Sequence, residues 1–428
     1  MPETLLQKHY KYLWTRFVIM AVGIWLMVTP VTFNQHLLWT NLNDIILGIL
    51  LIILGMLSLS PTRLWAPFAV AGLGVWLQFA PLIFWAPTAV NYLNDTSCGA
   101  IVILLSIIIP GTPGGKEPLG NEIPPGWSYN PSSWSQRLPV IAMAFFAWMS
   151  ARYMAAYQLG YIDHIWDPVF HNGTLRVITS DLSKSFPISD AGLGALIYTM
   201  EVLMGFKGRT RRWYTMPWMV LLFGIMVIPA GFVSILLIML QPLIVGYWCF
   251  WCLFTAVCML VMIALSIDEV IAVLLFLADV KKNKGPFWKI FWKGGEQVPY
   301  PEIPYKHETI LHSFYEMKAG VTFPWNLIVS VLLGGILMFG PSSLSPLFSD
   351  IDHVVGALVA TIAFIAMAEP ARAFRFVNIP LAIIILVCSF VFREYFLFHF
   401  FWSLILIAVC LSRGKILQKY GNWDRFIF

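Results

Sequence analysis

The sequence predicts an all-α polytopic membrane protein, and three features of its composition and patterning support that fold class. Of the 428 residues, 59% are hydrophobic and 11% are charged, whereas a soluble domain has about 25% charged residues. Apolar runs of roughly 20 residues, the length of one membrane-spanning helix, recur along the chain. The 19 Trp and 15 Tyr residues fit aromatic belts at the two membrane surfaces.

The apolar runs predict about twelve transmembrane helices, each near the length that a bilayer requires. Their expected bounds are 13–33, 42–60, 63–84, 94–110, 138–158, 190–206, 213–239, 248–267, 322–341, 352–369, 376–394 and 397–413. The first four and the last four belong to repeated helix pairs, and the middle four form a different bundle.

The basic residues predict how these helices are oriented. With a cytoplasmic N-terminus, the inner segments include the clusters Lys207–Arg212 and Lys281–Lys284 and the C-terminal tail. Of the 27 Lys and Arg residues, four fall on the outer side: Arg152, Arg176, Lys184 and Arg393. Because basic residues concentrate in cytoplasmic loops, we expect both termini in the cytoplasm. This topology accounts for the net charge of +5, so no nucleic-acid partner is expected.

An internal repeat occurs in the first four spans. The segments "GIWLMVTP" (Gly23–Pro30) and "GVWLQFAP" (Gly74–Pro81) are each followed by an Asn-Asp pair, at Asp44 and Asp95, and then by a glycine four residues later. A looser third copy, "GGILMFGP", precedes Asp352, and a fourth copy is hardly visible. The repeat resembles the bacterial SPW repeat, over roughly 13–110 and 322–413, although the namesake tripeptide is replaced.

The aspartates of the repeat are expected to start the returning helices. An Asp at a helix N-terminus accepts hydrogen bonds from the unpaired backbone N–H groups and suits the positive end of the dipole. We therefore expect Asp44, Asp95 and Asp352 to cap helices at the outer face, with the following glycines allowing close packing. A proton or ion path through these carboxylates is the alternative.

Span eight opens with a C-x-x-C in "GYWCFWCLFTAV" and begins at the outer face, where thiol–disulfide chemistry can occur. A helix N-terminus stabilises the thiolate of Cys249, and Cys252 lies one turn later on the same face. Trp248, Phe250 and Trp251 add apolar surface that suits a quinone ring. A zinc site needs four ligands and a c-type haem needs a following His, which leaves a redox couple or two packing cysteines as the main alternatives, with no metal site predicted.

The four central spans resemble the vitamin K epoxide reductase family. The resemblance rests on a long first external loop, on "FPISDAGLGALIYTMEVLMG" (Phe186–Gly205) and on the C-x-x-C helix. It implies that Cys249 and Cys252 form a quinone-facing disulfide and that Asp190 is the polar residue near the quinone, with Trp248 and Trp251 alongside. The quinone would be ubiquinone or menaquinone. The order of repeat, bundle and repeat resembles bacterial fusions of this family with SPW repeats.

Two departures from the family pattern affect the expected function. The loop from Asp163 to Asp190 contains no cysteine, so the family's internal thiol relay is absent, and Ala256 replaces a tyrosine of vertebrate members. Either the thiols of an external thiol or dithiol protein would then reach Cys249 directly, or the domain no longer carries out disulfide chemistry. Cys98 is the other cysteine considered as a redox partner, although buried cysteines are usually small packing residues.

The expected division of the chain is 1–115 for the first repeats, 116–280 for the central bundle, 281–320 for a cytoplasmic linker and 321–428 for the second repeats. The leading functional hypothesis is a quinone-linked thiol–disulfide oxidoreductase in the bacterial inner membrane, in contact with lipid. The alternative is a non-catalytic subunit of a larger membrane complex with a vestigial redox site. A transporter ranks last, because Glu201 is one of few charges within the spans.

Overall fold

Twelve long helices dominate the part of the chain that the structure, a computed structural model, describes: residues 9–33, 37–63, 65–107, 121–295, 315–340 and 345–427. They are α1 (Trp14–Thr32), α2 (Leu38–Leu57), α3 (Ala66–Ile83), α4 (Ala89–Ile107), α5 (Trp134–Gln158), α6 (Asp190–Phe206), α7 (Pro217–Leu240), α8 (Phe250–Lys282), α9 (Trp325–Met338), α10 (Pro346–Ile365), α11 (Asn378–Phe392) and α12 (Phe396–Leu411). The described residues form no β-strand; their β-type pairing is limited to isolated bridges.

Eight helical segments within the described ranges are long and apolar enough to cross a membrane. They comprise α1, α2, α3, α5, α7, α8, α10 and a segment that contains α11, and the shorter apolar helices α9 and α12 accompany them. The predicted all-α polytopic membrane fold is thereby confirmed. Each of the twelve predicted spans overlaps one of the twelve helices.

The helices pack as three successive bundles. In the first, each of α1 to α4 contacts two neighbours and the ring closes between α1 and α4; α9 to α12 form a second closed ring in the same way. Between them, α5 packs on α6 and α8, and α7 packs on α8. The first bundle contacts the central one through α3 and α4 on α6, and the last contacts it through α10 on α7 and α8.

Helix α8 is much longer than the span predicted for it. The expected end at residue 267 was wrong. The next two residues, Asp268 and Glu269, are acidic, but they remain helical and buried. Glu269 accepts hydrogen bonds from Arg212 Nε at 2.6 Å and from Ser132 Oγ at 2.5 Å, and Asp268 accepts one from the Tyr129 hydroxyl at 2.8 Å. These partners satisfy the carboxylates, so the helix continues to Lys282.

The aspartates of the repeat do not cap helices, and that prediction was wrong. Asp44, Asp95 and Asp352 each lie nearly two turns inside their helices, and all three are buried. The N-cap of α2 is Leu37, whose side chain makes no cap hydrogen bond. Asp44 Oδ2 instead accepts a hydrogen bond from Thr29 Oγ1 on α1 at 3.2 Å. Asp352 Oδ2 likewise contacts His399 Nε2 on α12 at 2.8 Å, so these side chains lie among neighbouring helices and not at helix starts.

The glycines after the aspartates bring paired helices into close contact, as predicted. A Cβ atom on Gly48 would lie 2.5 Å from the carbonyl oxygen of Gly23, and one on Gly99 would lie 2.7 Å from that of Gly74. The third copy has the same arrangement at Gly334 and Gly356. Pro341, which ends that copy, and residues 108–120 and 296–314, which hold a domain boundary and about half of the expected linker, lie outside the described residues.

Candidate redox site

The two cysteines of the C-x-x-C form a disulfide at the start of α8, with their Cα atoms 5.3 Å apart. Cys249 is the N-cap residue in an extended conformation, and its Sγ accepts a hydrogen bond from the backbone N–H of Cys252 at 3.1 Å. The backbone N–H of Cys249 donates to Gln241 Oε1 at 3.1 Å. Gln241 therefore holds the turn that precedes α8, while its own side chain is buried.

The two sulfur atoms differ in their access to the surroundings. Cys249 is completely buried, whereas Cys252 is half-buried. The short loop helix Gly173–Ile178 covers Cys249, which packs with Val177 and Ile178 in one apolar cluster. Gly173 packs against the backbone of Trp248, the residue before Cys249. A Cβ atom on Gly173 would overlap the carbonyl oxygen of Trp248. Only the second cysteine is thus placed for contact with another molecule.

Asp167 organises the external loop that covers Cys249. Its carboxylate accepts hydrogen bonds from the backbone N–H groups of Val169, Phe170 and Thr174 at 3.0, 2.7 and 2.9 Å, and from the Thr174 hydroxyl at 2.6 Å. Burial acts to raise the pKa of Asp167, but these four hydrogen bonds outweigh it and lower the pKa below its ordinary value. The loop helix is thereby anchored by a carboxylate that stays ionised at neutral pH.

Gln158, at the end of α5, joins the loop to the start of α6. Its Nε2 donates to the carbonyl oxygen of Ile178 at 3.1 Å, to Ser183 Oγ at 2.8 Å and to Asp190 Oδ1 at 2.5 Å. Its Oε1 accepts a hydrogen bond from Ser189 Oγ at 2.5 Å. The structure therefore connects the predicted site residue Asp190 to the loop that covers the disulfide through the Gln158 amide.

Trp251 packs in the apolar cluster of the disulfide, whereas the Trp248 ring contacts Phe170 of the loop and the last bundle. The Trp251 ring meets that of Tyr153 edge to face at 5.5 Å, and its Nε1 donates to the carbonyl oxygen of Trp166 at 2.7 Å. Trp248 points to the last bundle, where its ring lies 4.9 Å from Phe339 and 5.1 Å from His353. Of the predicted site residues, Cys249, Cys252 and Trp251 share one apolar cluster, with Ala191 beside Asp190 packed on it.

Three residues of this site were not predicted from the sequence. Met154 on α5 places its Sδ 4.0 Å from Cys249 Sγ and 3.8 Å from Cys252 Sγ, and Gln158 follows it by one helical turn. A methionine in an apolar helix carries no signal, whereas Gln158 and Gln241 are amides in apolar surroundings that could have been noticed. Cys98 packs in the core of the first bundle rather than at the disulfide.

Comparisons with protein families agree with this organisation. The model of the vitamin K epoxide reductase family matches residues 138–267, which include α5 to α7, the external loop and the disulfide. The model of the SPW repeat domain matches residues 13–109, which include α1 to α4. Neither a curated protein nor a solved structure matches the chain. The chain therefore joins an SPW repeat domain to a domain of the vitamin K epoxide reductase family.

Proposed function

We propose that the protein is a membrane thiol–disulfide oxidoreductase that passes electrons from an external dithiol to a quinone through Cys249 and Cys252. The observation that carries the proposal is a disulfide whose first sulfur is sealed against the loop and whose second is half-buried beside aromatic rings. With the topology that the basic residues predict, this site lies at the outer face of a bacterial inner membrane and both termini are cytoplasmic.

The unequal burial of the two sulfurs supports a role for each. A partner thiolate attacks Cys252 Sγ, so that a bond to the partner forms while the Cys249–Cys252 bond breaks. Cys249 leaves with the electron pair as a thiolate, and the Cys252 N–H that already donates to its sulfur stabilises that charge. The second partner thiol then displaces Cys252. The partner ends as a disulfide, and its two electrons and two protons reside on Cys249 and Cys252.

The residues around Cys252 are suited to hold a quinone. The rings of Trp251 and Tyr153 present apolar aromatic surface on the half-buried side of the pair, and the amide–carboxylate pair of Gln158 and Asp190 supplies polar groups at the same end of the bundle. When bound, ubiquinone or menaquinone accepts two electrons and two protons. Cys252, the half-buried sulfur, would face such a ligand, while the loop over Cys249 keeps water from the buried sulfur.

The absence of cysteine from the loop between Asp163 and Asp190 makes the external partner necessary. A tethered thiol pair would have a very high local concentration, whereas a separate partner must dock, so the rate should depend on partner concentration. Exposed apolar side chains on this loop offer a docking surface: Trp166, Val169 and Phe186.

Thiol labelling of cysteine variants tests the role assigned to each sulfur. A membrane-impermeant thiol reagent is added to the Cys249→Ser and Cys252→Ser variants in sealed, oriented vesicles, with Cys258→Ser as the control because Cys258 is buried elsewhere in the central bundle. Cys252 should be labelled rapidly from the outer face in Cys249→Ser, and Cys249 should react at least tenfold more slowly in Cys252→Ser. Labelling from the cytoplasmic face alone would overturn both the topology and the mechanism.

Quinone reduction by the purified protein tests the activity itself. Turnover should rise with dithiol concentration, should be lost in both cysteine variants, and should be retained in Cys258→Ser. Asp190→Ala should weaken quinone binding. Inertness with every dithiol would instead favour the second candidate, a non-catalytic assembly subunit, which the packing of Trp248 against the last bundle also suits.

A further inference from the structure

A cavity of about 210 Å³ lies between the first bundle and the central bundle, away from the disulfide. Helices from both units line it: Gln78 of α3, Thr96 and Ala100 of α4, Phe145, Trp148 and Arg152 of α5, and Leu203 of α6. Its volume far exceeds the roughly 10–15 Å³ that one water molecule needs. Phe145 is 46% exposed, so the cavity opens at the surface that faces lipid.

The polar groups of the cavity are concentrated at one end. Arg152 NH1 donates to Thr96 Oγ1 at 2.9 Å, and the buried Gln78 donates from Nε2 to the carbonyl oxygen of Thr96 at 2.5 Å. Thr96 lies about two turns inside α4 and Arg152 lies six residues before the end of α5, in the halves of these helices that are on the same membrane side as the disulfide. Further into the bundle the lining is apolar, with Ala100, Phe145 and Leu203, apart from Thr199, whose hydroxyl donates to the carbonyl oxygen of Ala195 in its own helix. The cavity therefore has the polarity gradient of an amphiphile.

The guanidinium of Arg152 has no carboxylate partner among the described residues. Its neighbours are the Thr96 hydroxyl and the rings of Tyr92 and Trp148, whose centroids lie 4.4 and 5.3 Å from the Arg152 Cζ. A guanidinium has five N–H donors, and its planar fork matches a phosphate. An arginine near a helix end also reaches toward the headgroup layer. The charge at the polar end of the cavity is consequently complementary to an anionic headgroup.

We propose that this cavity binds one anionic phospholipid, with its phosphate on Arg152 and an acyl chain along Phe145, Ala100 and Leu203. The lipid fills the space between the repeat domain and the reductase-family domain and so contributes to holding the two units together. The site is separate from the redox site: Arg152 faces α4, whereas Met154, two residues later on the same helix, faces the disulfide. The proposal is independent of any catalytic activity.

Native mass spectrometry of the full chain from nanodiscs tests the site, with phosphatidylglycerol and phosphatidylcholine as probes. The wild-type protein should retain one phosphatidylglycerol in preference to phosphatidylcholine, and the mass of the adduct distinguishes the phospholipid from a fatty acid or a quinone. Arg152→Gln removes the charge, and Ala100→Phe fills the cavity without changing the charge. Each should reduce retention at least tenfold, while Arg176→Gln, on the exposed loop helix, should have no effect.

Equal retention of the two lipids by the wild-type protein would overturn the proposal, as would unchanged retention in Arg152→Gln or an equal loss in Arg176→Gln. A bound quinone or fatty acid in place of the phospholipid would also overturn it. A thermal unfolding scan with and without phosphatidylglycerol separates binding from misfolding, because a folded Arg152→Gln variant should unfold cooperatively and lose only the lipid-dependent rise in Tm.

Discussion

The first and last bundles share one design and differ at its polar centre. In each, paired helices cross where two glycines meet, at Gly23 and Gly48 in the first bundle and at Gly334 and Gly356 in the last. The buried aspartates lie one turn before the second glycine of each pair. In the first bundle Asp44 and Asp95 interact electrostatically with each other, so that two acids occupy the centre.

In the last bundle the partner of the aspartate is a histidine. His399 Nε2 lies 2.8 Å from Asp352 Oδ2, and both side chains are buried. His399 is followed four residues later by Ser403, as Asp95 is followed by Gly99. The last helix thus carries His-x-x-x-Ser where the three visible copies of the repeat carry Asp-x-x-x-Gly. The helix crossings in both bundles therefore require small residues, whereas the polar centre of each bundle accepts either two aspartates or an aspartate and a histidine.

The largest expected effect separates these two centres. His399→Gln removes the imidazole that hydrogen-bonds with the buried Asp352 side chain and should lower the free energy of unfolding by about 3 kcal/mol, because a buried polar group that loses its partner carries its full desolvation penalty. Asp95→Asn removes one of two neighbouring acids and should cost less than about 1 kcal/mol, since an amide keeps the shape and hydrogen-bonding capacity. Thermal unfolding in nanodiscs compares the two variants.

Addition of Asp352→Asn to His399→Gln serves as the control for that comparison. The double variant should be less destabilised than the sum of its single variants, because the two side chains share one contact and no buried carboxyl group is left without its partner. Equal losses for His399→Gln and Asp95→Asn would contradict the view that the two centres differ.

The second prediction addresses the design that the bundles share. A Cβ atom on Gly334 would lie 2.6 Å from the backbone nitrogen of Ala360, whereas one on the adjacent Gly335 would meet nothing within 4 Å. Gly334→Ala should therefore destabilise the protein by about 1–3 kcal/mol, and Gly335→Ala should be neutral or stabilise it by up to about 1 kcal/mol. The pair Gly74 and Gly72 should repeat this contrast in the first bundle, and a similar response to both members of either pair would break the shared design.

The smallest expected effect concerns the tryptophans. In the first bundle Trp25 Nε1 donates to Asn94 Oδ1 at 2.7 Å and Trp76 Nε1 donates to Asn43 Oδ1 at 2.9 Å, a reciprocal pair that links the two repeats near the surface. Trp402, in the last bundle, is buried and donates to a backbone carbonyl instead.

Trp25→Phe and Trp76→Phe should each lower the free energy of unfolding by about 0.5 kcal/mol. Trp402→Phe should lower it by more than about 1 kcal/mol, because a buried carbonyl group then loses its hydrogen-bond donor. Urea or thermal unfolding, monitored by the far-ultraviolet circular dichroism of the helices, would measure the difference. A larger loss in Trp25→Phe than in Trp402→Phe would reverse the expected order.

The sequence by itself determined the approximate positions of the helices and the place of the cysteine pair at the start of one of them. A helix in lipid must satisfy its own backbone and present apolar side chains, so a run of about 20 apolar residues is sufficient to locate it. The C-x-x-C is equally local, because two cysteines one turn apart meet wherever a helix begins. Both features depend on neighbours in the chain, and no distant residue is needed to recognise them.

Only the tertiary structure decided how the polar side chains are used. The predicted span ended just before Asp268 and Glu269. Both are buried in the helix because Tyr129 and Arg212, 139 and 57 residues away in the sequence, hydrogen-bond with them. The aspartates of the repeat were expected to cap helices but are enclosed by neighbouring helices, and the Trp248 ring, expected beside a quinone, contacts the last bundle. The physical reason is the same in each case: a buried polar or aromatic group is stabilised by its contacts, and those contacts come from residues far away in the sequence.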